Sequence, residues 1–329
     1  MKKRYQADVR CRFFFTKPKR CDIISLTQQR ETYMNILVSG LLNTETTCAV
    51  RGFPINYYPI DYSFFGVSTA VSGVAFNISK ALLTLGDKVS LTSMLGNDFS
   101  AEYILKAVAE LNIDTENIRH SLNQTPSSVV LYDPDGRRQI YCDLKDIQQT
   151  DYSFDKSQLR NVDAVVACNI NFNRPLLSLA KKEGKLIATD VHVLSDVYDE
   201  YNREFMEWAD ILFLSDEAAG DEYRCLIHRI AEAYNNKIIV MGRGVKGAAI
   251  YRRETGSVVD VPSFKVEKVA NTVGAGDALF SGFLHYYLKG LSPIDALIRA
   301  QLFAAMKIRE NGASKGFVSE SEIEKMLDK

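Results

Sequence analysis

Near its C-terminal end the chain reads NTVGAGDALFSGFLHYYLKG, from Asn271 to Gly290. Apolar residues at 280, 283, 284, 287 and 288 recur at the spacing of one helical face, so a helix begins just before them. Gly274, Ala275 and Gly276 therefore form a small-residue turn at a helix N-terminus. There, unpaired N–H groups and the helix dipole favour negative charge. Glycine lets the backbone approach a phosphate closely, where a bulky side chain would block it. Asp277 follows in the first helical turn. An acid beside an anion hole suits transfer of a phosphoryl group, with the carboxylate accepting the proton of the attacking hydroxyl. Such transfer asks for positioning and charge stabilisation more than strong basicity. Spacing alone also allows a plainer reading, in which Asp277 caps the helix and the glycines only turn the chain.

A second glycine-rich segment is GRGVKG, with Gly242, Gly244 and Gly247 matching G-x-G-x-x-G. Alone it suggests a dinucleotide site and a nicotinamide-dependent oxidoreductase. The next residues, AAIYRRETGSVVDV, alternate in polarity and turn at Thr255-Gly256, so a hairpin is expected in place of the helix that a dinucleotide fingerprint requires. Upstream, Ser215 to Ala218 read SDEA. Asp216 or Glu217 could orient water around Mg²⁺, an ion that keeps several waters and few protein ligands; the alternative is a solvated acidic helix start.

The elements that must position these groups are legible as strand-like runs: ILVSG near 36, VSLTSML near 89, DAVVA near 163, KLIATD near 185, DILFL near 210 and KIIVMG near 237. Several are continuously apolar, as parallel strands covered on both faces are. Helix-period segments at Phe99–Leu111, Leu176–Glu183 and Asp221–Tyr234 lie between them. This alternation implies βαβ units and a doubly wound α/β sheet. One region departs from it. SSVVLYDPDGRRQIYCDL carries Asp135-Gly136 between two alternating runs, a strong signal for a tight hairpin. Together with about 46–70 after the first strand, the hairpin region (about 125–145) is expected to form a small β-sheet lid that excludes water from a reactive phosphate.

Composition narrows the class. With 329 residues, the chain can bury a large core. Its 40 basic and 41 acidic residues offer no global field for nucleic acid or an anionic membrane. No apolar run approaches the ~20 residues of a membrane span. The six cysteines are scattered without a C-x-x-C pair, which argues against a zinc site or disulfide framework and fits the cytoplasm. Residues 1–33 are basic, and their only apolar cluster is Phe13 to Phe15, too short for a signal-peptide core. They are expected to be a disordered tail or an over-extended start, with a single domain over 34–329.

NTVGAGD resembles the DTxGAGD signature of the ribokinase-like (PfkB-type) carbohydrate and nucleoside kinases, with Asn271 where aspartate is usual. GLLNTETT at 40–47 resembles that family's G-x-x-N-x-D segment, with Glu45 for aspartate. SGVAFNISKALLTLG at 72–86 resembles GGxxxNxAxxLxxLG, with Ser72 for the first glycine. TPSSVVLYDPDGRRQI at 125–140 resembles the TPTG segment and hairpin beside the lid. The similarity runs from about Met34 to the end, with the segments in the family order.

The resemblance implies a ribokinase-like fold, ATP as donor, Mg²⁺ and in some relatives K⁺. Asp277 would be the catalytic base, and Gly274, Ala275 and Gly276 the anion hole. Asn43, Glu45, Gly73 and Asn77 would line the acceptor pocket, joined by Asn169 or Asn171. Gly242, Gly244, Gly247, Ser215 and Gly276 would pass beside the nucleotide, with Asp216 or Glu217 linked to the metal. Asn271 and Val273 would offer backbone oxygens to a monovalent cation. The family's N-x-x-E magnesium motif is replaced by SDEA, and DVHVL at 190–194 stands where some relatives carry D-x-N-x-R, which leaves His192 to be read as a surface histidine. The expected acceptor is a hydroxymethyl group of a small sugar, with a nucleoside, pseudouridine included, as the alternative, and a homodimer through the lid is expected. A non-catalytic ligand-binding protein on the same scaffold is the competing class.

Overall fold

The structure, a computed structural model, describes residues 33–328. The extension expected over 1–33 lies, apart from Tyr33, outside the described residues. In chain order the strands are β1 (Asn35–Ser39), β2 (Asn43–Ala49), β3 (Val67–Ser72), β4 (Lys88–Leu95), β5 (Ile118–His120), β6 (Ser127–Tyr132) and β7 (Arg138–Asp143). They continue with β8 (Ala164–Ala167), β9 (Leu186–Val193), β10 (Ile211–Ser215), β11 (Ile238–Gly242), β12 (Ala248–Arg252) and β13 (Ser257–Val261). The helices are α1 (Val74–Leu85), α2 (Phe99–Glu110), α3 (Arg174–Lys182), α4 (Arg203–Trp208), α5 (Tyr223–Ala233), α6 (Ala275–Leu288), α7 (Pro293–Lys307) and α8 (Glu320–Leu327).

Nine strands form one sheet in the order β13-β12-β11-β10-β9-β8-β1-β4-β5. All pairings from β11 to β5 are parallel, and only β12 runs the other way, pairing antiparallel with β11 and with the edge strand β13. The apolar runs of β1, β8, β10 and β11 are buried along nearly their whole length because helices cover both faces. Alternate side chains of β1 serve opposite cores. Ile36 and Val38 pack with residues of α1, α6 and α7, whereas Leu37 packs with α3, α4 and α5. The chain leaves β1 toward β4 on one side and later returns to β8 on the other. β1 is thus the topological switch point, where the C-terminal strand ends open a crevice in sheets of this class.

A separate four-stranded sheet, β3-β2-β6-β7, is built from the segment after β1 and from the expected hairpin. Its turn is wider than the Asp135-Gly136 signal suggested, because five residues, 133–137, connect β6 to β7. The buried Asp133 carboxylate accepts from the N–H groups of Asp135 and Arg137 and makes the connection, with Gly136 at φ 82°. No helix among the described residues is long and apolar enough to cross a membrane.

Candidate active site

The N-terminus of α6 lies beside the switch point, and the helix packs against α1 and α7. Gly274 is its N-cap at φ 79°, a left-handed conformation, and no side chain caps the helix. A Cβ at Gly274 would lie 2.3 Å from the Ala313 carbonyl oxygen, so close backbone packing demands glycine there. A Cβ at Gly276 would meet nothing within 4 Å. The Ala275 N–H donates to the Thr272 carbonyl at 3.2 Å. Among the described residues, the N–H groups of Gly274, Gly276 and Asp277 have no acceptor. The open amides are therefore those of 274, 276 and 277, and Ala275 shapes the turn. Asn271 substitutes for an aspartate without loss of the local turn, since its Oδ1 accepts from the Val273 N–H at 2.7 Å.

Asp277 is half-buried, and its Oδ2 accepts from the Asn77 amide at 2.8 Å, which joins α6 to α1. Burial pushes its carboxyl up to about 6, opposed by the Asn77 bond and by the positive charges of His192 and Lys307, and reinforced by Asp190. Glu45, on β2 of the small sheet, is buried and accepts from the Ser72 hydroxyl at 3.3 Å. Burial raises its carboxyl too; the Ser72 bond and Lys307 oppose the rise, and Asp277 adds to it. Lys307, the last residue of α7, is fully buried and donates from Nζ to the Val273 carbonyl. Burial lowers its ammonium to about 8, with Asp277 and Glu45 holding it up and Arg138 pushing it down. Two carboxyls and one ammonium from three elements thus share the floor between the two sheets.

Asn43 is buried where the small sheet leaves β1, and its amide donates to the Ser128 hydroxyl at 3.0 Å. Gly73 caps α1 at φ 103°, and a Cβ there would lie 2.4 Å from the Leu41 carbonyl oxygen, so its glycine is set by packing. Asn169 and Asn171 are occupied elsewhere. Asn169 donates to Asn202, and Asn171 bridges the Gln148 carbonyl and the Arg174 guanidinium. Nothing in these bonds ties them to Asp277. A cavity of about 200 Å³ opens beside Glu45 and Asn271, with Phe65 and Tyr132 among its walls.

On the other side of α6, Ser215 and Gly242 are register partners at the ends of β10 and β11, and Gly242 lies against Leu279 of α6. The segment after Gly242 enters antiparallel β12, as the alternation implied, so no dinucleotide helix exists here. Gly247 at φ 96° is required by its contact with the Val261 carbonyl, whereas a Cβ at Gly244 would meet nothing. The acidic pair divides. Asp216 lies 3.6 Å from the Arg243 guanidinium, which a direct metal ligand would have to give up, while Glu217 is exposed with no ion-pair partner among the described residues. Among those residues no group of three His, Cys, Asp or Glu is placed to hold a metal. The donor set fits a Mg²⁺ held mainly by phosphates and water, with Glu217 as the acid left to face that water.

Sequence reasoning missed Lys307, Arg138 and the proximity of His192. Lys307 stands three and seven residues beyond Ala304 and Ala300 on α7, and a lysine on an apolar stripe was the available signal. His192, at φ 58°, acts electrostatically on Asp277 although its ring is half-exposed. Arg138 reaches from β7 to the Thr272 hydroxyl at 2.8 Å, tying the small sheet to the loop before α6. Both stand in segments the sequence singled out, but only the ends of a strand and a hairpin, brought together by the fold, set them beside Asp277 and Thr272.

The chain is 26% identical over 299 residues to the 5-dehydro-2-deoxygluconokinase of Clostridium perfringens, covering 79% of this chain and 84% of that one. It is 24% identical over 250 residues to the cytidine kinase of Thermococcus kodakarensis, covering 73% and 88%. Its fold matches that of the microbiome-derived acarbose kinase Mak1 with a TM-score of 0.80 at 22% identity, over 91% of this chain and all of the other. The family model described as pfkB family carbohydrate kinase matches residues 35–320, so the chain belongs to that family and is a phosphotransferase acting on an alcohol group of a sugar or nucleoside.

Proposed function

We propose that the protein transfers the γ-phosphoryl group of ATP, bound with Mg²⁺, to a hydroxymethyl group of a small sugar. The observation that carries this reading is the half-buried Asp277 carboxylate within the same helical turn as the open amides of Gly274 and Gly276. Asp277 accepts the acceptor's proton, and the open amides meet charge on the migrating phosphoryl group. Its raised carboxyl suits a base that works near neutral pH. Gly242, Gly244 and Ser215 border the nucleotide, and a Mg²⁺ faced through water by Glu217 would offset charge on the phosphates.

A sugar is favoured by unmet acceptors. Asn43 Oδ1 and Asn77 Oδ1 are buried without a hydrogen-bond partner among the described residues, and a polyhydroxyl acceptor supplies donors to both. Glu45, which feels the Asp277 charge, is suited to bind two hydroxyls; its extra methylene relative to aspartate changes which sugar fits. The small sheet acts as a lid, with Arg138 as its latch on Thr272. A nucleoside is the second reading, favoured by Phe65 and Tyr132, whose rings offer a base a stacking surface in the cavity beside Glu45. A panel of sugars and nucleosides assayed for ADP release tests the assignment: turnover confined to nucleosides overturns the sugar, and specific ligand binding without turnover favours the non-catalytic class.

The lid also carries the assembly reading. Between β2 and β3 the aromatic side chains of Tyr57, Tyr62, Phe64 and Phe65 are mostly exposed, more apolar surface than a monomer ordinarily leaves in water. A second copy docking lid to lid covers them, and a solution mass equal to one chain at micromolar concentration would refute it.

A further inference from the structure

One of the two backbone oxygens expected to bind a monovalent cation is already taken: the Val273 carbonyl accepts from the buried Lys307 ammonium. We infer that Lys307 is the site's own cation: its ammonium fixes the Val273–Gly274 peptide behind the anion hole and makes an exogenous K⁺ unnecessary. The catalytic meaning of this role rests on the phosphoryl-transfer reading, but its structural meaning does not.

In a trans peptide the C=O and N–H point in opposite directions. With the Val273 carbonyl held on Nζ, the Gly274 N–H points away from the ammonium, and it has no acceptor among the described residues. Gly274 also presses on Ala313 in the loop that follows α7, the helix ending in Lys307, so the peptide is clamped from both sides. A fully buried ammonium is costly unless its surroundings use it, and the groups facing it are Asp277 from α6, Glu45 from β2 and Arg138 from β7. One fixed positive charge beside two carboxyls makes room for a polyanionic nucleotide that a pair of bare acids would repel. Lys307 touches neither reacting atom; it is a positioning residue that acts through the 273–274 peptide.

The test compares wild type with K307A and K307M in buffers whose only monovalent cation is tetramethylammonium, K⁺ or NH₄⁺. Wild type should melt at the same temperature and turn over at the same rate in all three. K307A should lose about 10²-fold in turnover, the loss typical of one oxyanion-hole donor. It should recover part of that in NH₄⁺ or K⁺ but not in tetramethylammonium, and its melting temperature should rise with the same two ions. K307M, whose side chain fills the space, should show the loss without the rescue. Saturable stabilisation or activation of wild type by K⁺ overturns the inference, as does a K307A that keeps full turnover. Because melting needs no acceptor, cation-independent wild type that turns over nothing removes the kinase reading and leaves the built-in cation standing.

Discussion

Replacing Asp277 with asparagine separates a catalytic base from a helix cap by its joint effect on stability and turnover. The carboxyl rises from an ordinary 3.8 to about 6, chiefly through burial. That rise corresponds to at most about 3 kcal/mol of cost to the folded state when the group is charged, part of which its solvent-facing side returns. Asparagine at this position would carry no charge and keep the size of the side chain. The variant should therefore be more stable than wild type near neutral pH, by roughly 2–4 °C of melting temperature per kcal/mol recovered. The sign with pH is fixed by linkage. Between pH 3.8 and about 6 the folded wild type binds more protons than the unfolded chain, so its stability falls as pH rises, and the variant's advantage grows across that window and then holds. Turnover should fall by about 10²–10⁴-fold, the usual contribution of a general base, with nucleotide affinity nearly unchanged. Differential scanning calorimetry across pH, calorimetric ATP titration and an ADP-release assay read the three quantities. A cap would leave stability nearly unchanged, because asparagine caps a helix about as well as aspartate, and activity would survive. A D277N protein that melts no higher than wild type and still turns over would refute the assignment.

The two glycines of the turn should respond differently. Gly276→Ala should leave the melting temperature nearly unchanged, because its Cβ enters open space, yet depress turnover by obstructing the phosphoryl site; Gly274→Ala should destabilise the fold through its 2.3 Å clash and its φ of 79°. Equal melting losses in both would contradict the reading. The pH profile of turnover should rise as Asp277 loses its proton near 6 and decline as Lys307 loses its charge near 8, and a profile flat across that window would exclude both groups from the rate. Asn77→Ala removes the side-chain bond that holds the Asp277 carboxylate, so kcat should fall well over tenfold with little change in ATP affinity, which single-turnover kinetics can verify.

The doubly wound sheet was legible because each buried parallel strand is a short continuous apolar run and each covering helix a 3.6-residue pattern, signals that need no knowledge of the rest of the chain. The glycine-lined turn at the start of α6 was legible for the same reason: Gly274 and Gly276 adjoin Asp277 in sequence, and a helix N-terminus is a local object. Even the unsuitability of GRGVKG as a dinucleotide loop could be read from the alternation after it. Folding alone decided whatever depends on distance along the chain. The Asn77–Asp277 bond joins residues 200 positions apart, and Lys307 meets the Val273 carbonyl across 34. That Ala275 spends its amide on Thr272, that Asn169 and Asn171 turn to other partners, and that Arg243 claims Asp216 are outcomes of packing. Local pattern specifies which groups a segment offers. Only the tertiary fold determines which of them find partners within the protein and which are left to a ligand, since hydrogen bonds and charge act over a few ångströms of space whatever the separation in sequence.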